Sequence, residues 1–404
     1  MKACQILVAL VASVVTEQGR EERTGQCVLR LWEQGWHREP LLYSRGGVVV
    51  PQVLGRGKAL VEVEEGGFLT LACPGGRVGR THGSEAALTC GEGNRFTRHG
   101  VEVSMDRLGC SSNPKETEVV RAECCGPNSQ GTRLDVGFQL SQGFTKVLEI
   151  CHSNETSATH WVRHTIQGGM LGAQGYGRGT ADFREGRKFY KTISADRIYT
   201  RRHQIRHLTK RFGVEKRKEL FPSSFDRGHL APNSDFMFKD WQEATFFYAN
   251  TAPQWPAINR GNWKEVEDAV RSLALREEVE LEVITGTKDV LAMDRKQVWL
   301  AKEEETRKKL VPVPKVLWKI VTEPKTSKSI VVITLNNPSY KRVTKVQMFC
   351  PDICEETGWA EEIGARKAMT EGFTFCCSLQ EFRKVVPWIP YIHGNSILNF
   401  NDTF

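Results

Sequence analysis

Residues 226–233 read Asp-Arg-Gly-His-Leu-Ala-Pro-Asn, and residues 250–267 read NTAPQWPAINRGNWKEVE. A histidine beside an arginine supplies a base for an attacking water and positive charge for an anion that develops in the reaction. Gly228 permits a turn or a close backbone approach, and Pro232 stops regular structure soon afterwards. Further on, Trp263, Val266, Val270 and Leu273 recur at helical spacing, which predicts an amphipathic helix over Gly261 to Leu275. Glu267 and Arg271 are four apart and share a face of that helix, and Asn259 stands just before it. An asparagine carbonyl with waters is a hard-oxygen donor set that suits Mg²⁺. Each feature also has a bland reading. His229 could be structural, Asn259 a helix cap, and Glu267 with Arg271 a surface ion pair. Taken one at a time the bland readings prevail.

Upstream, Arg201 to Leu220 holds eight Lys or Arg against two Glu. Such a run is either a solvated basic face or a set of phosphate contacts, and its place just before the Asp226 motif favours the second. The whole chain has 404 residues and a formal charge of +8, which is compatible with a polyanionic partner but weak on its own. With 40% hydrophobic and 26% charged residues it can bury a sizeable core, in two packed units or one large unit.

The flanks differ in character. Apolar residues from Ile6 to Val15, after a single Lys2, fit a signal peptide over 1–18, and the run is too short for a membrane span. No later stretch is long and apolar enough to cross a membrane, so the reading is an exported, extracellular chain without an anchor. Residues 19–145 read as a β-rich module with strands at Val48–Val50, Ala59–Val63 and Phe68–Leu71 between glycine turns. From 146 onward, strands are expected at Phe144–Ile150, His160–Ile166, Val279–Thr285, Val316–Val321 and Ile330–Leu335, with a loop over Gly168–Gly179. Mixed strands and helices point to α+β. Of 12 cysteines, 11 remain after Cys4 leaves with the leader, clustered in Cys27–Cys151 and Cys350–Cys377. Zinc lacks a supporting Cys-Cys-His-His pattern, so disulfides are expected, with an odd thiol at Cys124 or Cys125 or paired between molecules. Asn154 and Asn401 begin glycosylation acceptor triplets.

The two motifs together resemble the DNA/RNA non-specific endonuclease family with its ββα-metal site, because order, spacing and residue types agree from Asp226 to Glu267. Val311-Pro312-Val313-Pro314 and Val386-Pro387-Trp388-Ile389-Pro390 are compatible with it. The leader and the cysteine-bearing N-terminal region make the chain similar to secreted arthropod nucleases, including the crustacean duplex-specific type. The resemblance implies a ββα-metal nuclease domain over 146–404, with a mixed or antiparallel sheet and flanking helices. It also implies residue roles. His229 would be the general base and Asn259 the one direct ligand of Mg²⁺, for which Mn²⁺ can substitute. Glu267 would orient metal-bound water, Arg227 and Arg271 would contact phosphate, and Asp226 would support them from behind. The upstream loop arginine of the family would be Arg187, with Arg184 close by. The implied activity is endonucleolytic hydrolysis of DNA, and of RNA, that leaves 5′-phosphate ends. The sequence leaves a duplex-DNA and a duplex-RNA preference both open, and a silent nucleic-acid-binding protein is the rival from another class.

Overall fold

The computed structural model describes residues 25–404 apart from 46, 81–82, 174–180, 191–192, 304, 345–346 and 395. The expected leader lies outside the described residues. No helix among the described residues is long and apolar enough to cross a membrane.

Alternating apolar and polar residues make the N-terminal part all-β. Gln26–Arg30, Lys58–Glu64 and Gln52–Gly55 form one antiparallel sheet, and Leu41–Ser44, Phe68–Ala72 and Glu85–Gly91 are the centre of a six-stranded one. Lys58–Glu64 and Phe68–Ala72 coincide with two expected strands. The third is cut to Gly47–Val48, and Val50 is exposed ahead of Pro51. Cys27–Cys90 staples the two sheets together, and Cys73–Cys110 closes a second loop.

A nine-stranded sheet organises the rest. Its main path comprises β1 (Thr117–Cys125), β2 (Gly131–Leu140), β3 (Gly143–Ser153) and β4 (Ala158–Gln167). A separate pair, β5 (Asp226–His229) and β6 (Thr251–Gln254), lies between β4 and the next sheet strand in sequence. The path then continues through β7 (Glu280–Val290), β8 (Pro314–Glu323), β9 (Lys328–Leu335) and β10 (Thr374–Cys377). These eight are antiparallel neighbours, and only Ser396–Ile397 joins in parallel, beside β9. The expected module boundary at 145/146 therefore falls inside β3, because β1 and β2 already belong to this sheet. Mixed polar content hid them: β1 carries Glu118, Arg121 and Glu123 among its apolar residues.

The helices that bear on the site are α1 (Arg201–Phe212), α2 (Val214–Leu220), α3 (Pro256–Asn259) and α4 (Asn262–Glu277). The stretch expected as a loop from Gly168 begins instead with a helical turn, Gly168–Leu171, and part of it lies outside the described residues. Helix α4 buries Val266, Ala269, Val270 and Leu273 against Ile166, Leu281, Val283, Val321 and Val332 of four sheet strands. The N-terminal module is not separate from this core: Leu41, Tyr43 and Ala72 pack with Leu134, Leu148 and Leu230. Cys125–Cys151, Cys350–Cys377 and Cys354–Cys376 are further cross-links, and among the described residues Cys124 is the free, exposed thiol. The close C-terminal cysteines are thus used as disulfides rather than as zinc ligands.

Candidate active site

Strands β5 and β6 pair antiparallel, with His229 opposite Thr251 and Asp226 opposite Gln254. β6 then feeds α3 and α4 with only Trp255 and Arg260–Gly261 as connections, so the two motifs become two strands followed by a helix. The result joins residues 33 apart: the Asn259 Nδ2 donates to Asp226 Oδ2 at 3.2 Å, and Arg260 pairs with the same oxygen at 3.1 Å. With its amide nitrogen committed, Asn259 keeps its carbonyl oxygen for another partner. It is not the cap of α4, since Gly261 holds that position.

His229 is half-buried between Phe183 and Phe246, whose ring centroids are each 5.0 Å from the imidazole. Burial, aided by the Arg227 charge, pushes its pKa down to about 4. The ring is therefore neutral at physiological pH, as a general base must be. Its Nε2 is enclosed without a partner among the described residues, unlike a histidine kept for a structural hydrogen bond. Arg227 is exposed, lies over Phe183 at 4.9 Å and donates to the Tyr248 hydroxyl at 3.4 Å. That hydroxyl in turn donates to Asp196 at 2.8 Å.

Gly228 is required by contact. A Cβ there would lie 2.1 Å from Cδ of Gln254, whose side chain is fully buried and has no room to retreat. Gly228→Ala is expected to destabilise the fold by about 1–3 kcal/mol, the usual range for overpacking. A urea midpoint equal to that of wild type would contradict this.

Glu267 sits one turn after Trp263 on α4. Burial raises its carboxyl pKa, and Lys319 and then Arg271 pull it back. The surface-pair reading fails, because Arg271 bonds elsewhere: to Asp235 at 2.8 Å and to Asp268. Its side chain is only 17% exposed, and its guanidinium is engaged by both Asp235 and Asp268. Asp235 is itself held by His164 Nε2 at 2.7 Å. Arg187 is exposed, and its backbone N–H donates to Glu118 on β1. Arg184 lies over the Phe247 ring at 4.6 Å, pairs with Glu116 and donates to the Glu243 carbonyl. Neither arginine has a described contact with the His229 ring, whereas Phe183, just ahead of them, does.

Sequence reasoning missed Phe183, Phe246 and Tyr248, which no local pattern marks. It also missed His164 and Lys319; only Lys319 carried a signal, as a lysine inside an otherwise apolar strand run.

Residues 129–382 match the model of the DNA/RNA non-specific endonuclease family. The chain belongs to that family. It is a nuclease, and nucleases of this family depend on a divalent metal. A salivary endonuclease of Lutzomyia longipalpis is 30% identical over 309 residues, covering 75% of this chain and 73% of that one. Salivary protein Tsal1 of Glossina morsitans morsitans is 27% identical, over 82% of this chain and 83% of its own. Among solved structures, the EndoG/EndoGI complex has a looser likeness, with TM-score 0.33 and 17% identity over 50% of this chain and 76% of that chain.

Besides His229, the nuclease carries other histidines that desolvation keeps neutral. His152, His160, His207 and His229 are pushed down to about 3, 4, 4 and 4, in each case chiefly by burial. Each folded pKa lies below the unfolded value of about 6.5. Between the two values the unfolded chain binds more protons, so stability falls as pH is lowered through that window. The expected loss approaches about 1.4 kcal/mol per pH unit for each such histidine. Urea unfolding at a series of pH values from neutral down to the lower edge of the window checks it; a flat profile would count against the burial of these rings.

Proposed function

We propose that this nuclease is a secreted, Mg²⁺-dependent endonuclease that hydrolyses phosphodiester bonds in DNA, duplex preferred, and in RNA, leaving 5′-phosphate ends. The observation that carries the reading is the meeting of the Asp226 motif with Asn259 at the base of α4, beside a neutral His229.

The donor chemistry fits a divalent hard cation. Asn259 offers a carbonyl oxygen whose amide nitrogen is already held by Asp226, and Glu267 adds a carboxylate on the same helical segment of chain. Asn259 would hold the ion directly, and Glu267 would order water around it. When bound, such an ion supplies Lewis-acid polarisation of the phosphate and neutralises charge on the leaving oxygen. His229 takes the proton from the attacking water, its ring held by Phe183 and Phe246. Arg227, exposed beside it, is the residue available to the charge that develops on phosphate. Asp226 fixes Asn259 and Arg260. Arg271 belongs to the support of α4, and Arg187 remains the weaker proposal for an outer phosphate contact.

An exposed stripe of Arg202, Arg206 and Lys210 at four-residue spacing on α1 supports binding of a long polyanion. Export is supported by the apolar run near the N-terminus and by five disulfides. The division into a leader at 1–18, an N-terminal module and a nuclease domain is part of the same proposal, with the domain drawn to begin at Thr117, where β1 starts.

The test is digestion of plasmid DNA, single-stranded DNA and double-stranded RNA by purified protein, with Mg²⁺, with Mn²⁺ or with chelator. Cutting that resists chelator would sink the metal-dependent mechanism. Faster cutting of double-stranded RNA than of duplex DNA would reverse the preference. Binding without cutting of any substrate would identify a silent binding protein instead.

A further inference from the structure

Strand β8 keeps a charge that stability alone does not explain. Val316, Leu317, Trp318, Ile320 and Val321 are all buried, and Lys319 among them is 1% exposed. Alternation along the strand puts Leu317, Lys319 and Val321 on the face that α4 covers. Leu317 packs in the cluster of Trp263, and Val321 in that of Val266 and Val270. Burying an ammonium is costly, and a buried ion pair replaced as a whole by apolar side chains of similar volume is often no less stable.

What the ammonium touches gives the reason. Its Nζ donates to Thr285 Oγ1 at 2.6 Å and lies 3.5 Å from the Leu230 carbonyl, which directly follows His229. It also sits 5.3 Å from the ring centroid of Trp263, one helical turn before Glu267. Thr285 is its partner in the β7–β8 register. Behind it, His164 on β4, Asp235 and Arg271 form a buried chain of hydrogen bonds under the same helix.

Resting on the nuclease reading, we propose that Lys319 is a positioning residue: its buried ammonium ties the end of β5, which bears His229, to the turn of α4 that bears Glu267. The base and the carboxylate sit on separate elements, and no other described side chain contacts both the Leu230 carbonyl and the Trp263 ring. The Lys319 charge also draws the Glu267 carboxyl, raised by desolvation, back toward ionisation, and Arg271 acts in the same sense.

The test is a double-variant cycle on plasmid DNA with wild type, Lys319→Met, Glu267→Gln and the combined variant, each with a thermal melt. Lys319→Met takes one partner out of a buried set of charges and leaves Thr285 Oγ1 without its donor, so it is expected to melt below wild type yet stay folded at the assay temperature. Its kcat is expected to fall about 10–100-fold, the range seen for residues that support a site from behind, with KM changed less than about threefold. The combined variant is expected to lose less than the product of the two single losses, since the lysine acts in part through the element that carries that carboxylate. Additive losses, or a lower melting temperature with wild-type kcat, would overturn the proposal. Should Lys319→Met not fold, Lys319→Gln, which keeps a donor but no charge, gives the same readouts. Failure of both to fold would make the lysine a folding element and overturn the proposal too. A wild-type protein that cuts nothing removes the nuclease reading as well, whereas equal cutting by wild type and Lys319→Met removes only the role of the lysine.

Discussion

Substituting His229 with alanine is expected to lower kcat by about 10²–10⁴-fold, the contribution of a positioned general base. The expectation follows from what the imidazole is and is not used for. It is neutral at physiological pH, with a pKa pushed down to about 4, and it makes no described hydrogen bond that would explain its retention as a structural group. Its two ring contacts, Phe183 and Phe246, fix the ring plane without consuming a nitrogen. Alanine also leaves space between those rings, so the variant should lose some stability through packing. Initial rates must therefore be taken well below its melting temperature and beside a binding assay with unlabelled duplex. An unchanged affinity with collapsed kcat is the expected pattern. A variant that cuts at the wild-type rate would remove His229 from the mechanism altogether.

The second large effect is expected at Asn259. Asn259→Ala removes both the proposed metal-holding carbonyl and the amide that bonds Asp226. Activity at limiting Mg²⁺ should fall by more than the about 10–100-fold typical of residues that only support a metal site. Raising Mg²⁺ should restore it in part, because Glu267 and Asp226 remain. Asn259→Asp separates the two functions: it keeps an oxygen donor but loses the N–H and faces the Asp226 carboxylate across what is a 3.2 Å hydrogen bond in wild type. Titration of rate against Mg²⁺ for both variants checks the assignment. A wild-type Mg²⁺ curve for Asn259→Ala would place the metal elsewhere.

Arg271 shows why roles inferred by motif need geometry. Its spacing from Glu267 is helical and was legible, but its partners were not: Asp235 and Asp268 take both ends of the guanidinium. Asp235 comes from a short turn 36 residues upstream, and its capture by His164 on β4 adds a third element. Such a network is invisible in any window of sequence, because its members come from a strand, a turn and a helix that lie far apart in the chain. The same holds for Lys319. The strand around Lys319 was legible from Val, Leu, Trp and Ile, but what the ammonium touches was not until the fold laid α4 over it.

By itself the sequence determined the helix and marked the residues of the two motifs, while the strand pair came only from what the resemblance implied. The apolar spacing of α4, the strand runs of β4, β7, β8 and β9, and the Asp226 and Asn250 motifs are all local, and local periodicity sets local structure. Composition and cysteine count likewise foretold the disulfides. Only the tertiary structure decided which cysteine stays free, where the large sheet begins and which side chains touch. It put β1 and β2 in the sheet despite their charges, and it turned Arg271 inward. It also set Phe183 against His229 across 46 residues of chain. The physical reason is that register, burial and side-chain pairing depend on which surfaces pack together, and packing joins residues that no sequence neighbourhood contains.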